Sequence, residues 1–434
     1  MKKCAFHNLG CKVNAYETEA MREQLSLLGY EIVSFEETAD VYVINTCSVT
    51  NIADRKSRQM LHRARKRNPE ALVVAAGCYA QAFAEELKKD GTADVILGNG
   101  QKSRLAAVLT EWEEKRARIA CVSDVLHEKE YEELRVSCNA GHTRAFIKIQ
   151  DGCNQFCSYC LIPYTRGRIR SRGPEDILRE VTDLAEKGCR EVVLTGILLS
   201  AYGTERAELP GLLDVVRQLD SVPGIERIRL GSLEPRVITE EFVDGLAGLA
   251  HFCPHFHLSL QSGCDATLKR MNRHYTTREY LDKLKQIRAA FAHPAVTTDV
   301  IVGFPGETEA EFAETEAFVE EADFFEMHVF PYSKRKGTPA ERMSGQLAEA
   351  VKKARSAKLL EKEREMSRRF RAYYIGKEVE LLSEEEVSIK GERFLLGHSR
   401  EYVKILWPGE AEKINEIARV LVTGTFDEDK MLAE

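Results

Sequence analysis

The sequence predicts an α/β protein in three parts: an N-terminal α/β domain, a central partial (β/α) barrel and a small C-terminal antiparallel β-barrel. Short apolar runs alternate with helix-period segments to about residue 370, which implies parallel sheets. Beyond that point a long charged helix leads into short strand-like runs alone, the pattern of a small barrel. Size agrees, because 434 residues with 44% hydrophobic content can bury several cores and suit two or three domains.

In the first domain, expected over residues 1–115, segments 31–35, 41–44 and 72–76 read as strands, with helices at 17–28 and 52–67. A charged passage at 116–138 reads as a linker, with a boundary near residue 138. The central domain, 139–370, offers strands at 145–149, 191–194, 228–230, 257–260, 298–302 and 324–330, with helical patterns between them. In repeated βα units the chemistry gathers at the C-terminal strand ends. Asp151, Thr195, Ser232, Gln261 and Gly303 fall at or just beyond such ends. A helix over 349–371 leads into the last domain, 371–434, with strands at 379–382, 394–396, 402–406 and 418–424. Tyr402 there reads as core.

Composition excludes several classes. No apolar run of about 18 residues exists and the start lacks a basic segment before an apolar one, so the protein is expected in the cytoplasm with no membrane partner. Twelve cysteines in a chain with a large core then read as reduced thiols, some of them metal ligands. A net charge of -7 excludes a uniformly basic surface, and nucleic-acid binding would need a local patch. Leu97-Gly-Asn-Gly100 lacks the Gly-Lys-Ser/Thr ending and the dinucleotide spacing, which argues against ATP and NAD.

The strongest chemical signal is Asp151-Gly-Cys153-Asn-Gln-Phe-Cys157-Ser-Tyr-Cys160, directly after the first central strand. Three thiolates on one loop can wrap a soft metal centre, and three ligands leave one iron of a four-iron cluster open to a small molecule. Structural zinc, the competing reading, wants four protein ligands, usually as two pairs. Asp151 is expected to cap the loop. Thr195-Gly196, Ser232, Gln261-Ser262 and Gly303 are the cofactor candidates at the other strand ends. The stretch Gly196-Ile-Leu198-Leu199 that follows Thr195 is apolar and assigns no contact to Leu198.

Two basic stretches could meet RNA phosphates. Arg55, Lys56, Arg58, Arg63, Arg65, Lys66 and Arg67 lie on one predicted helix, and Arg166, Arg168, Arg170 and Arg172 alternate just beyond the cysteine loop.

The Cys-x3-Cys-x2-Cys spacing resembles the signature of radical S-adenosylmethionine enzymes. With Asn8-Leu-Gly-Cys11-Lys-Val-Asn14, Asn45-Thr-Cys47, Ala76-Gly-Cys78 and Arg166-Gly-Arg168, nearly the whole chain resembles the methylthiotransferase family. That resemblance implies a radical S-adenosylmethionine barrel in which Cys153, Cys157 and Cys160 hold one [4Fe-4S] cluster and Tyr159 borders the adenine of S-adenosylmethionine. It implies a second, auxiliary [4Fe-4S] cluster on Cys11, Cys47 and Cys78. It also implies a C-terminal RNA-binding barrel, with tRNA, an electron donor and a sulfur source as partners; a monomer is expected in solution. Cys4, Cys121, Cys138, Cys189, Cys253 and Cys264 read as structural.

The words Asn8-Leu-Gly-Cys-Lys-Val-Asn14 and His328-Val-Phe-Pro-Tyr-Ser-Lys-Arg-Lys-Gly337 are most similar to the branch acting on N6-threonylcarbamoyladenosine at position 37, beside the anticodon. The implied product is the 2-methylthio derivative, made by a radical mechanism. Arg166, Arg168, Lys334 and Arg335 are the cations that could meet the substrate's carboxylate. The alternatives are isopentenyladenosine or a ribosomal-protein aspartate as substrate, or a non-catalytic iron-sulfur RNA-binding protein.

Overall fold

The computed structural model describes residues 1–137 and 143–434. The expected boundary near residue 138, and Cys138 itself, lie outside the described residues.

The N-terminal domain is a six-stranded parallel sheet: β1 (Lys3–Asn8), β2 (Glu31–Val33), β3 (Val41–Thr46), β4 (Leu72–Gly77), β5 (Val95–Leu97) and β6 (Ile119–Cys121), in the order β2-β1-β3-β4-β5-β6. Helices α1 (Lys12–Leu27), α2 (Asn51–Arg67), α3 (Cys78–Ala82), α4 (Ala84–Asp90) and α5 (Leu105–Lys115) connect the strands. β3 and β4 are buried along their whole length, as parallel strands covered on both faces require, and their runs Val-Tyr-Val-Ile-Asn-Thr and Leu-Val-Val-Ala-Ala-Gly are correspondingly apolar. The Thr50 hydroxyl accepts from the Ala53 amide and starts α2. The expected linker contributes to this sheet, because 119–121 pairs with β5 as its edge. Three residues flanked by charge give too short a run to read as a strand. α1 also starts five residues before its expected beginning, with Cys11 at its N-cap.

The central domain runs β7 (Arg144–Lys148), β8 (Gln150–Asp151), α6 (Ile162–Arg166), β9 (Arg170–Ser171), α7 (Pro174–Glu186), β10 (Glu191–Thr195), α8 (Leu212–Asp220), β11 (Arg227–Leu230), α9 (Glu240–Ala247), β12 (His255–His257), α10 (Asp265–Arg270), α11 (Thr277–Ala290), β13 (Ala295–Val302), α12 (Glu309–Ala322) and β14 (Glu326–Pro331). Two three-stranded parallel sheets, β7-β10-β11 and β12-β13-β14, are joined by the bridges Ile228 to Phe252 and Leu233 to Leu258. The result is a six-stranded partial barrel, open between β14 and β7. Capping boxes at Thr276/Glu279 and Thr308/Glu311 start α11 and α12.

α13 (Glu349–Ala372) leads to a closed barrel of β15 (Glu378–Ile389), β16 (Glu392–Ser399), β17 (Lys404–Trp407), β18 (Ile417–Thr425) and β19 (Lys430–Ala433). Every pair in it is antiparallel except β17 with β19. This small barrel closes the floor of the larger one. Arg227 and Arg229 donate to the carbonyls of His398, Ser399 and Arg400 at 2.7–2.8 Å. Tyr402 precedes β17 rather than belonging to it, and its ring stacks between His255 and His398 at 4.8 and 4.4 Å. Among the described residues no helix is long and apolar enough to cross a membrane.

Candidate active site

Cys11, Cys47 and Cys78 each follow the C-terminal end of a neighbouring parallel strand, β1, β3 and β4. Gly10 precedes the first, with a φ of +110°, and a Cβ there would lie 3.0 Å from Cys47 Cβ and 3.1 Å from its sulfur. Gly77 precedes the third, at a φ of +91°, where a side chain would collide with Asn45 and the Thr46 carbonyl. Glycine at both points lets three loops crowd one small volume. The Asn99 side-chain amide donates to Cys78 Sγ at 3.5 Å. Burial pushes the Cys47 thiol up to about 12, with Cys78 and Cys11 adding to the rise and Arg166 opposing it.

The second trio lies on the loop after β8, between it and α6. Its path is fixed by the Cys153 amide donating to the Gly167 carbonyl at 3.0 Å and by Ser158 Oγ donating to the Arg270 carbonyl at 2.8 Å. The backbone amides of Gln155 and Ile162 donate to Cys153 and Cys160 Sγ, each at 3.4 Å. Arg273 donates to Cys157 Sγ, also at 3.4 Å. Burial raises Cys153 to about 11 and Cys160 further, so both favour the protonated thiol until a cation offsets the cost of charge.

Among the described residues, His257, Asp299 and His328 bring their ligating atoms within 4.8 Å of one another. Each cysteine trio instead has amide or guanidinium donors aimed at its sulfurs, which suits an anionic iron-sulfur cluster.

Between the trios lies a buried charge network. Arg166 donates to both Glu17 oxygens at 2.8 and 3.1 Å and to Asn14 Oδ1 at 2.8 Å, and it pairs with Asp151 at 3.1 Å. Lys148 pairs with Glu17 at 2.8 Å and Asp151 at 2.6 Å, and Lys102 pairs with Glu17 at 3.0 Å. Burial pushes the Glu17 carboxyl upward, yet Arg166, Lys102 and Lys148 together hold it well below the usual carboxylate range. Three cations thus meet two carboxylates. The surplus positive charge lies beside Cys78, which adds to the upward shift of Arg166. Asp151 also accepts from the Gly152 amide at 2.8 Å, the loop-cap role expected of it.

The remaining candidates divide. Tyr159 is half-buried against Phe304, Thr195 ends β10, and Gln261, beyond the end of β12, bridges to Val300 of β13. A Cβ at Gly196 would meet Gln150 Oε1 at 2.8 Å, so glycine there lets β10 approach the cysteine loop, and the Leu198 amide donates to the same oxygen at 2.7 Å. Ser232 is exposed. Ser262 is fully buried, bonded to Thr315 Oγ1 at 3.4 Å and to the Cys264 amide, which turns it from the lumen. A side chain at Gly303 would collide with Lys352, so that position serves the packing of α13.

The basic stretches need correction too. Arg166, Arg170 and Arg172 are buried; Arg172 pairs with Glu180, and Arg170 donates to the Arg166 and Arg168 carbonyls. They are structural cations, because a desolvated guanidinium already paired inside the fold has nothing left for RNA. Arg168 alone of the four is exposed, over the Phe156 ring at 4.7 Å. On α2, Arg55, Lys56, Arg58, Arg63 and Lys66 are exposed. Arg65 instead pairs with Asp94 and donates to the Pro69, Ala71 and Thr92 carbonyls, while Arg63 and Arg67 share Glu36.

Sequence reading missed Glu17, Lys102, Lys148 and Arg273. It also missed the pairing of buried Arg335 with Asp54 at 2.7 Å, which ties the segment after β14 to α2. Lys148, a charge at a buried position of strand β7, was the available signal; Glu17 on α1 and Lys102, Arg273 and Arg335 outside the strands gave none.

Comparison with known proteins places these features in context. Residues 3–98 match the family model described as Uncharacterized protein family UPF0004, and residues 147–319 match the Radical SAM superfamily. The chain is 41% identical to the threonylcarbamoyladenosine tRNA methylthiotransferase MtaB of Bacillus subtilis, over 97% of this chain and 94% of that protein. It is 40% identical to the MtaB of Aquifex aeolicus, over 97% and 100%. It is 34% identical to the tRNA-2-methylthio-N(6)-dimethylallyladenosine synthase of Desulfitobacterium hafniense, over 97% and 95%. Among solved structures, the radical S-adenosylmethionine methyltransferase TsrM of Kitasatospora setae matches with a TM-score of 0.56 at 16% identity, over 78% of this chain and 75% of that one. That likeness concerns the fold.

Proposed function

Since the chain belongs to the MtaB family of radical S-adenosylmethionine methylthiotransferases, we propose that it converts N6-threonylcarbamoyladenosine at position 37 of tRNA to its 2-methylthio derivative. Cys153, Cys157 and Cys160 hold the cluster that binds S-adenosylmethionine, and Cys11, Cys47 and Cys78 hold the auxiliary cluster. When bound, these groups supply a 5'-deoxyadenosyl radical able to break the adenine C2–H bond and a methylated sulfur to replace that hydrogen. The observation that carries the reading is the pair of nests, one in each domain, joined through the Arg166 network.

The protein's own groups prepare the site. Arg273 and the Gln155 and Ile162 amides donate to the sulfurs of the radical trio, and Asn99 donates to Cys78 of the auxiliary trio, so both trios offer hydrogen-bond donors to an anionic cluster. Tyr159, Thr195, Gly196 and Gln261 border the S-adenosylmethionine pocket. The exposed cations of α2 and Arg168 guide the tRNA backbone, and the C-terminal barrel grips it. An electron donor and a sulfur source complete the set of partners, with the enzyme working as a cytoplasmic monomer.

Anaerobically reconstituted enzyme supplied with S-adenosylmethionine, a reductant and a threonylcarbamoyladenosine stem-loop should form the 2-methylthio nucleoside together with 5'-deoxyadenosine. Turnover of an isopentenyladenosine stem-loop in preference would overturn the substrate assignment.

A further inference from the structure

The substrate assignment requires a group that meets a carboxylate. Arg166 and Arg335, two of the cations near the site in sequence, are buried and already ion-paired. The lumen of the partial barrel offers another.

On β14, Met327 is buried and Val329 packs outward against the helices, so Glu326, His328 and Phe330 face the lumen. β14 is the free edge of the six-stranded arrangement, and His328 and Phe330 remain open there, with 59% of the His328 side chain exposed and Phe330 44% exposed. Their ring centroids are 6.4 Å apart. A planar apolar face beside an imidazole matches an adenine that carries an acidic arm.

The imidazole is held by its neighbours. Asp299, the cross-strand partner of His328, takes His328 Nδ1 on Oδ1 and His257 Nε2 on Oδ2, both at 3.1 Å, and His257 Nδ1 meets Thr297 Oγ1 at 2.9 Å. With Nδ1 committed to Asp299, His328 directs Nε2 to the open side, where it has no protein partner among the described residues. The bond to Asp299 raises the pKa of His328, burial opposes it, and Asp299, Glu326 and Glu363 add to the rise. The segment by which the sequence resembles the threonylcarbamoyl branch begins at this residue.

We propose that Phe330 and His328 form the subsite for the modified adenosine: Phe330 stacks on the base, and Nε2–H of His328, oriented by Asp299 and His257, binds the threonyl carboxylate. The inference rests on threonylcarbamoyladenosine being the substrate. An isopentenyl arm would offer that Nε2–H no acceptor.

The test uses the reconstituted holoenzyme and two stem-loops, one bearing threonylcarbamoyladenosine and one bearing its neutral carboxamide. Wild-type enzyme should show a KM at least about tenfold higher for the amide, since a bond to a charged group is replaced by one to a neutral group. His328→Gln should raise KM for the acid by a similar factor and for the amide by less than about twofold. His328→Lys should recover part of the loss, and Phe330→Ala should weaken both substrates alike, because stacking is blind to the charge of the arm. Equal wild-type KM for acid and amide, a comparison that needs no variant, overturns the proposal, as does an equal His328→Gln penalty on both. One bound divalent metal per chain beyond the cluster iron, lost in His328→Gln, would also overturn it by making the triad a metal site. Wild-type enzyme that ignores the acid stem-loop but turns over isopentenyladenosine would overturn the substrate reading, and the subsite with it.

Discussion

Arg166, the last residue of α6 just beyond the second cysteine trio, donates to Glu17 of α1 at 2.8 Å, so a guanidinium–carboxylate pair joins the radical barrel to the domain carrying the first trio. Both side chains are fully buried. Such a pair rarely adds much stability over an apolar substitute, but losing one partner strands the other. Here the stranded charges would lie beside the auxiliary trio.

Glu17→Gln should therefore destabilise the protein by about 3–5 kcal/mol, because it leaves Arg166 and Lys148 sharing Asp151 and takes from Lys102 the carboxylate it pairs with. Chemical denaturation of anaerobically prepared protein measures this. A change below about 0.5 kcal/mol, the size common at surface sites, would show that the network is hydrated rather than sealed.

The two trios should be separable by substitution. Wild-type protein should hold about eight irons per chain, and Cys157→Ala or Cys47→Ala about four. Cys157→Ala should abolish 5'-deoxyadenosine formation, whereas Cys47→Ala should keep it and lose methylthiolation. The reverse pattern would exchange the roles of the clusters.

The α2 cations should divide by exposure. Lys56→Gln with Lys66→Gln, both exposed, should weaken tRNA binding and lower the salt slope by about two, with little effect on thermal stability. Arg65→Gln should instead lower the melting temperature, since it removes the Asp94 pair and three carbonyl contacts. Equal loss of tRNA affinity in both variants would place Arg65 on the RNA face.

Tyr402 should act as a plug between barrels. Tyr402→Ala removes the ring stacked between His255 and His398 and beneath Arg144 and Arg229, whose guanidiniums lie 5.2 and 4.9 Å from its centroid. A loss of about 1–3 kcal/mol and faster proteolysis near α13 are expected. Unchanged protease resistance would assign the docking to Arg227 and Arg229 alone.

Long, strongly patterned elements were legible in the sequence. Helix α2, the strands β3, β4, β10 and β13, and α13 all appear within a few residues of their expected places, because their period and apolar content carry the signal locally. Strands β1, β5, β6 and β19 were not legible. Three of them, β5, β6 and β19, have three or four residues, and pairing across the sheet rather than local propensity makes them strands. At the site, cysteine spacing was readable, whereas the roles of the arginines were not. Arg166, Arg170 and Arg172 look like an alternating basic edge until the fold brings Glu17, Asp151 and Glu180 against two of them and backbone carbonyls against the third. Tyr402 looked like a strand core residue because one ring partner, His255, lies far away in sequence, and the other, His398, meets it only through the turn between β16 and β17.

The most direct measurement is nucleoside mass spectrometry of tRNA from cells with and without the gene, complemented by wild-type protein or by Cys157→Ala. Loss of 2-methylthio-N6-threonylcarbamoyladenosine with accumulation of N6-threonylcarbamoyladenosine, reversed by wild-type but not by Cys157→Ala, is the expected result. A change confined to the isopentenyl nucleoside, or unchanged tRNA with loss of a ribosomal-protein aspartate modification, would contradict it.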